Sequence, residues 1–194
     1  MPDTTKLELL EDLMARQRAI RRFMADDVDD SLVERIIRAA TRAPSARNVQ
    51  PWRFIVIRDR ETKRQLGAIF DELGARMYGQ GAPDRTPWEE VPVLIAVCSE
   101  YAFGEGEAAM AALGASIYPG VQNLLLAAQA AGLGAVLTTR WKAQQPQLRP
   151  LLGLPETMAL HAIIPMGWPD RSYGKNRRRP VGEVTYRERF GEPW

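Results

Sequence analysis

Three separated segments of the chain carry residue types suited to binding an anion and a planar heterocycle. The first is Arg18-Ala19-Ile20-Arg21-Arg22-Phe23. A guanidinium stays charged at every physiological pH and presents a planar fork of donors that matches phosphate oxygens. Taken alone, such a cluster reads more readily as a solvated basic face. The second is Ala43-Pro44-Ser45-Ala46-Arg47-Asn48-Val49-Gln50-Pro51-Trp52, a loop between a helix pattern and a strand pattern. Asn48 and Gln50 each offer donors and an acceptor in fixed register, which suits the N–H and carbonyl edge of a flavin or a nucleobase. The plainer alternative is a turn whose carboxamides satisfy their own backbone. The third is Lys175-Asn176-Arg177-Arg178-Arg179-Pro180, a run of a kind that faces solvent or marks a nucleic-acid patch. Pro180 stiffens this segment and helps aim it.

Other catalytic equipment is scarce. No G-x-G-x-x-G follows the first strand pattern, and no G-x-x-x-x-G-K-[ST] occurs. The single histidine, His161, lies among apolar strand neighbours and reads as structural, which argues against a Ser-His-Asp triad or a histidine-based metal site. The single cysteine, Cys98, excludes an intrachain disulfide and a multi-cysteine metal site. It ends the apolar run from Val93 and reads as an inert buried thiol. An enzyme with so few acid–base groups must leave the hard chemistry to a cofactor.

The elements that position these segments follow from periodicity. Leu7, Leu10, Leu13 and Met14 predict a helix over about 5–16, and Asp29-Asp30-Ser31 caps a second that Pro44 terminates. Strands are predicted at 54–57, 91–98, 135–139 and 158–166, and helices at 61–78 and 144–152. The stretch 108–137 is the most apolar, but Pro119, Gln122, Asn123 and Gln129 interrupt it, so it is too broken for a membrane span. It predicts a helix buried in the core or against a second subunit, ended by Gly132 in the left-handed conformation. The loop 79–87, with two glycines and two prolines, reads as mobile, and the chain beyond Gly167 as an extended tail on its own or a partner's surface. Alternating elements within 194 residues indicate one layered α/β domain over 1–194. A net charge of +2 is too small to imply nucleic acid, and the polar start carries no secretory pattern, so a cytoplasmic setting is expected.

Together and in this order, the three segments resemble the nitroreductase family of FMN-dependent oxidoreductases. The family's R-S-x-R-x-[FY] stands here as Arg18 to Phe23, and A-P-S-x-x-N-x-Q-P-W-x-F is matched at every specified position from Ala43 to Phe54. Asn123 to Ala128, Gly132-Leu133-Gly134 and the basic tail are also like the family. The resemblance implies a sheet of mixed, mainly antiparallel strands flanked by helices, with the tail reaching the partner of a homodimer. It implies FMN as cofactor, NADH or NADPH as hydride donor, and a small electron-poor acceptor (nitroaromatic, quinone or enone-like) reduced in a ping-pong cycle, with no nucleic acid and no membrane.

By the same resemblance Arg18 and the Ala19 backbone meet the FMN phosphate, and Arg21 lies toward the ribityl and pyrimidine side. Asn48 and Gln50 lie beside the flavin ring, which Leu137, Thr138 and Thr139 border, while Arg178 and Arg177 return to the phosphate. Ala19 stands where the family has serine, which removes one hydroxyl contact of about 0.5–1.5 kcal/mol. Residues 137–141 lack the glycine-containing loop of many relatives. Tyr118, Phe103 and Trp141 are aromatic candidates for the substrate channel, and the 79–87 loop for a gate over it. Flavin fragmentation, aromatic dehalogenation and azoline oxidation occur among relatives and remain open, as does a flavin binder without turnover; an RNA-binding module is disfavoured because the arginines bracket a proline-rich carboxamide loop rather than forming one continuous stripe.

Overall fold

The computed structural model describes residues 3–79, 84–104, 106–139 and 145–194. Strand β2 (Val93–Glu100) pairs antiparallel with β1 (Trp52–Ile57) on one side and β4 (Met158–Gly167) on the other. β3 (Gly134–Ala135) pairs with β4, so the order is β1-β2-β4-β3. The mixed character comes from Ala19, which forms a parallel bridge with Ala135 beyond that strand. β2 is buried at every position but the last, because its unbroken apolar run must be covered on both faces.

The two faces are covered by different helices. Val93, Ile95 and Val97 pack with Val33 and Ile36 of α2 (Asp30–Ala40) and Leu113, Ile117 and Leu124 of α4 (Glu107–Ala130). Leu94, Ala96 and Cys98 pack with Leu66 and Leu73 of α3 (Arg60–Tyr78) and Leu148 of α5 (Gln145–Leu152). The result is the expected layered α/β arrangement. Asp29 caps α2 by accepting from the Ser31 N–H at 2.7 Å. Gly132 adopts φ +80° after α4, and the Leu133 N–H returns to the Ala128 carbonyl at 2.9 Å, closing the helix as its sequence predicts. α1 (Thr5–Arg16) buries no residue and leaves Leu7, Leu9, Leu10 and Met14 exposed.

Two departures from regularity shape the site. β3 is shorter than the predicted 135–139, because Val136 faces Pro165. The Val136 N–H donates to the Pro165 carbonyl at 3.3 Å, but proline has no N–H to return. Pairing resumes at Thr138, which exchanges two backbone bonds of 3.2 Å with Ile163. In β4, Val97 pairs with Ala162 and Cys98 with Leu160, so His161 is an extra residue in a β-bulge.

The segment Ile20–Phe23 crosses the β3–β4 edge where Gly134 faces Gly167. A Cβ at Gly134 would stand 2.7 Å from Ile20 Cγ2, and one at Gly167 2.7 Å from Pro92 Cδ and 3.4 Å from Phe23 Cβ. Gly134→Ala is therefore expected to destabilise the protein by about 1–3 kcal/mol, measured by urea unfolding. Unchanged stability would overturn this packing account.

Candidate functional site

α1 ends at Arg16, and its last carbonyls need partners. Asn176 supplies them: its backbone N–H donates to Ala15 O at 2.7 Å, and its Nδ2 to Met14 O at 2.9 Å and Gln17 O at 3.2 Å. Lys175 adds an ion pair to Asp12 at 2.8 Å, and Asp12 is held down at about 2 by hydrogen bonds from Arg16 and then Lys175. The tail is thereby pinned to α1 just before Arg177 and Arg178. The Ile20 N–H meanwhile donates to Ala135 O at 3.1 Å, fixing Arg18, Ala19 and Arg21 along β3.

These two attachments create one cleft of about 740 Å³. Arg18, Ala19, Arg21, Leu137, Arg177 and Arg178 line it, with Lys175, Asn176 and Leu125 of α4. Among the described residues no carboxylate lines it. Arg18 donates to Gly174 O at 3.2 Å, Arg21 to Ala19 O at 3.2 Å and Arg178 to Arg177 O at 2.8 Å. Among the described residues none of Arg18, Arg21, Arg177 and Arg178 forms an ion pair with an acid. Each guanidinium carries five donors, so most remain for a ligand. Arg22 differs: it is committed to Asp84 and to Asp170, the latter at 3.1 Å. With Thr86, whose N–H donates to Arg21 O at 3.0 Å, this pair holds residues 84–86 against the signature segment. Residues 80–83 of the loop proposed as a gate lie outside the described residues, as does Trp141.

Asn48 and Gln50 do not join this cleft. They sit in a turn where Arg47, Asn48 and Gln50 have φ of 53°, 55° and 51°, left-handed values that cost a non-glycine residue about 1–3 kcal/mol. The strain is held by Ser45, whose carbonyl accepts the Asn48 N–H and whose hydroxyl accepts the Gln50 N–H, both at 3.0 Å. The Ala46 N–H donates to the buried Ser116 hydroxyl of α4 at 3.1 Å. The loop thus presents both carboxamides in the open, Gln50 Nε2 donating to Asn48 Oδ1 at 3.2 Å. Ser116 and Leu125 are nine positions apart on α4, which is about 13 Å along the axis and half a turn around it. Within one chain the carboxamide loop and the basic cleft therefore contact opposite faces of α4.

The remaining predicted residues divide at Pro165. The Thr138 hydroxyl donates to Ile163 O at 2.5 Å and is buried, so it faces the sheet. Thr139 lines a second cleft of about 940 Å³ with Tyr118 and His161. Of the other aromatic candidates, Phe103 packs against the core. Asn176, the paired glycines and the bulged His161 escape a sequence reading: the first hides in a basic run, and the others act through contacts distant in the chain.

Cys98 is fully buried, and burial pushes its thiol up to about 12, as an inert thiol requires. The native protein should resist a thiol reagent near pH 8 and react only after unfolding. Fast labelling of native protein would contradict this.

The chain belongs to the nitroreductase family, whose model matches residues 14–168. A NADH dehydrogenase of Thermus thermophilus is 30% identical over 206 aligned positions, covering 88% of this chain and 91% of that protein. An iodotyrosine deiodinase of Drosophila melanogaster is 33% identical over 181 positions, where 82% of this chain spans 62% of that protein. A nitroreductase-like protein of Desulfovibrio desulfuricans, solved in complex with FMN, is 32% identical with a TM-score of 0.71, covering 93% of this chain and 97% of that one.

Proposed function

We propose that the whole chain is a single FMN-binding unit and an NAD(P)H-dependent oxidoreductase that reduces an electron-poor small molecule. The observation that carries this reading is the basic cleft: four arginines converge there, and among the described residues none has an acidic partner and no carboxylate lines the cleft. A phosphomonoester fits that donor set, and the cleft is of ligand size. Arg18, Arg177 and Arg178 would hold the phosphate with the Ala19 backbone, and Arg21 would lie nearer the ring. Leu137 and the backbone to Thr139 lead from this cleft to the second one and would flank the ring. A guanidinium near the ring favours negative charge there, which is how this chain would tune the cofactor's potential. Bound FMN supplies hydride chemistry, so oxidation of NADH or NADPH and reduction of the acceptor would alternate in one site. No side chain of the basic cleft is needed to give a proton, because the cleft is open to water.

The working unit in this proposal is a homodimer. α4 exposes Ala111, Ala112, Ala115, Tyr118 and Gln122 along one stripe, and α1 exposes four large apolar side chains. Apolar surface of this extent marks an interaction face. A second copy across α4 would also bring its Asn48 and Gln50 to the basic cleft that this chain's own loop does not reach. No described helix is long and apolar enough to cross a membrane, and we place the protein in the cytoplasm, where reduced nicotinamide is at hand. Similarity to an iodotyrosine deiodinase keeps reductive dehalogenation as a second reading of the same site.

Purified protein should be yellow and carry near-stoichiometric FMN. NADH or NADPH should bleach it without oxygen, and a quinone or nitroarene should restore the colour. Restoration by iodotyrosine alone would favour dehalogenation, and colourless protein that takes up no FMN would sink the proposal. Arg18→Ala should raise the FMN Kd by about tenfold to a hundredfold. Arg22→Ala, which removes only exposed ion pairs, should leave it within about fivefold. Equal losses would break the assignment.

A further inference from the structure

α1 buries none of its residues, so packing on its own chain does little to hold its last turn. Hydrogen bonds hold it instead. The Gln17 N–H closes the turn by donating to Leu13 O at 3.0 Å. Beyond that bond, the carbonyls of Met14, Ala15 and Gln17 all accept from the single residue Asn176. Helix carbonyls without such a partner turn to water, which gives the end of the helix no fixed direction. The neighbouring Lys175–Asp12 ion pair is exposed on both sides and contributes little. Asn176 is therefore the main tie between α1 and the tail.

The place of this tie in the chain matters as much as its strength. Gln17 immediately precedes Arg18, and Asn176 immediately precedes Arg177. The 3.2 Å bond from Asn176 Nδ2 to Gln17 O thus sets the spacing between the cations on the two walls of the basic cleft. Arg18 also donates to Gly174 O at 3.2 Å, two residues before Asn176, so both walls meet on one short stretch. Among the described residues no ion pair fixes Arg177 or Arg178, and their guanidiniums are placed by the backbone that Asn176 anchors. Asn176 itself lines the cleft, but it is not equipped to hold an anion. Its amide hydrogens are taken by Met14 O and Gln17 O, and its backbone N–H by Ala15 O. The carboxamide oxygen is an acceptor and offers a phosphate nothing, so any influence on a phosphate passes through the neighbouring arginines.

We propose that Asn176 is a positioning residue for the cofactor's phosphate: it sets the spacing between Arg18 and the Arg177–Arg178 pair, and it couples phosphate binding to closure of the last turn of α1. This rests on the FMN reading above for the identity of the ligand, but not for the coupling, which any phosphate in the cleft would engage. Linkage makes the coupling reciprocal. A phosphate that draws Arg18 and Arg177 together steadies the Asn176 bonds, and loss of those bonds weakens the hold on the phosphate. The flavin ring would lie toward Leu137 and Thr139, away from this contact, so a flavin without phosphate should not feel it.

Asn176→Leu keeps the approximate shape of the side chain and removes its donors. FMN should bind the variant apoprotein about tenfold more weakly than the wild type, while riboflavin binds both alike within about twofold. A residue that only supports the fold would weaken both flavins together, and an idle one would change neither; either result overturns the proposal. Hydrogen exchange on the wild-type protein gives a reading that needs no variant. Saturating FMN should slow exchange at the Gln17 and Asn176 amides by about fivefold or more, and riboflavin should not. Equal protection by the two flavins, or none from FMN, would overturn the coupling. If the protein binds neither flavin, the FMN reading fails and inorganic phosphate takes the place of FMN in the exchange measurement. Protection at Gln17 and Asn176 would then sustain the coupling, and its absence at saturating phosphate would overturn it.

Discussion

Gly134 and Gly167 face each other across the β3–β4 ladder, and the segment Ile20–Phe23 lies where side chains on them would stand. That close approach is the constraint on which the basic cleft depends. It places Arg18, Ala19 and Arg21 along the sheet edge, where the Ile20 N–H completes a parallel bridge with Ala135. The opposite wall arrives from more than 150 positions away in sequence, because Asn176 satisfies the last carbonyls of α1. The Ile20 and Asn176 bonds use none of the cleft's arginines, which keep most of their donors for a ligand.

Proline at 165 and the bulge at 161 act on the same strand with complementary results. Pro165 withdraws one donor from the ladder and ends β3 early, which frees Val136 and Leu137 to line the basic cleft and lets Thr138 return to the sheet. The bulge turns His161 toward α4 beside Ser99. A regular ladder from 134 to 139 would have left one uninterrupted edge in place of two adjoining clefts.

Much of this was legible in the sequence, for physical reasons that differ by element. β2 was plain because an unbroken apolar run can only be a doubly covered strand, and α2 because its cap and apolar period agree. The arginines of the first and third segments could be named from their types. Their meeting could not be foreseen from residues alone, since it depends on the Asn176 and Gly134 contacts. Asn48 and Gln50 were equally visible by type, but nothing local shows that their loop meets the opposite face of α4. His161 looked structural because its neighbours in the chain are apolar. A bulge is a register event between two strands, and one strand's sequence does not carry it.

If the arginines that have no acidic partner among the described residues hold a phosphate, the most direct test removes only that group from the ligand. Riboflavin and FMN share the same ring and ribityl chain, so their affinities for apoprotein, read by quenching of flavin fluorescence, isolate the phosphate contribution. With at least two charge-assisted contacts at stake, FMN should bind about a hundredfold or more tightly than riboflavin, and high salt should narrow the gap. Equal affinity for the two flavins would contradict the account.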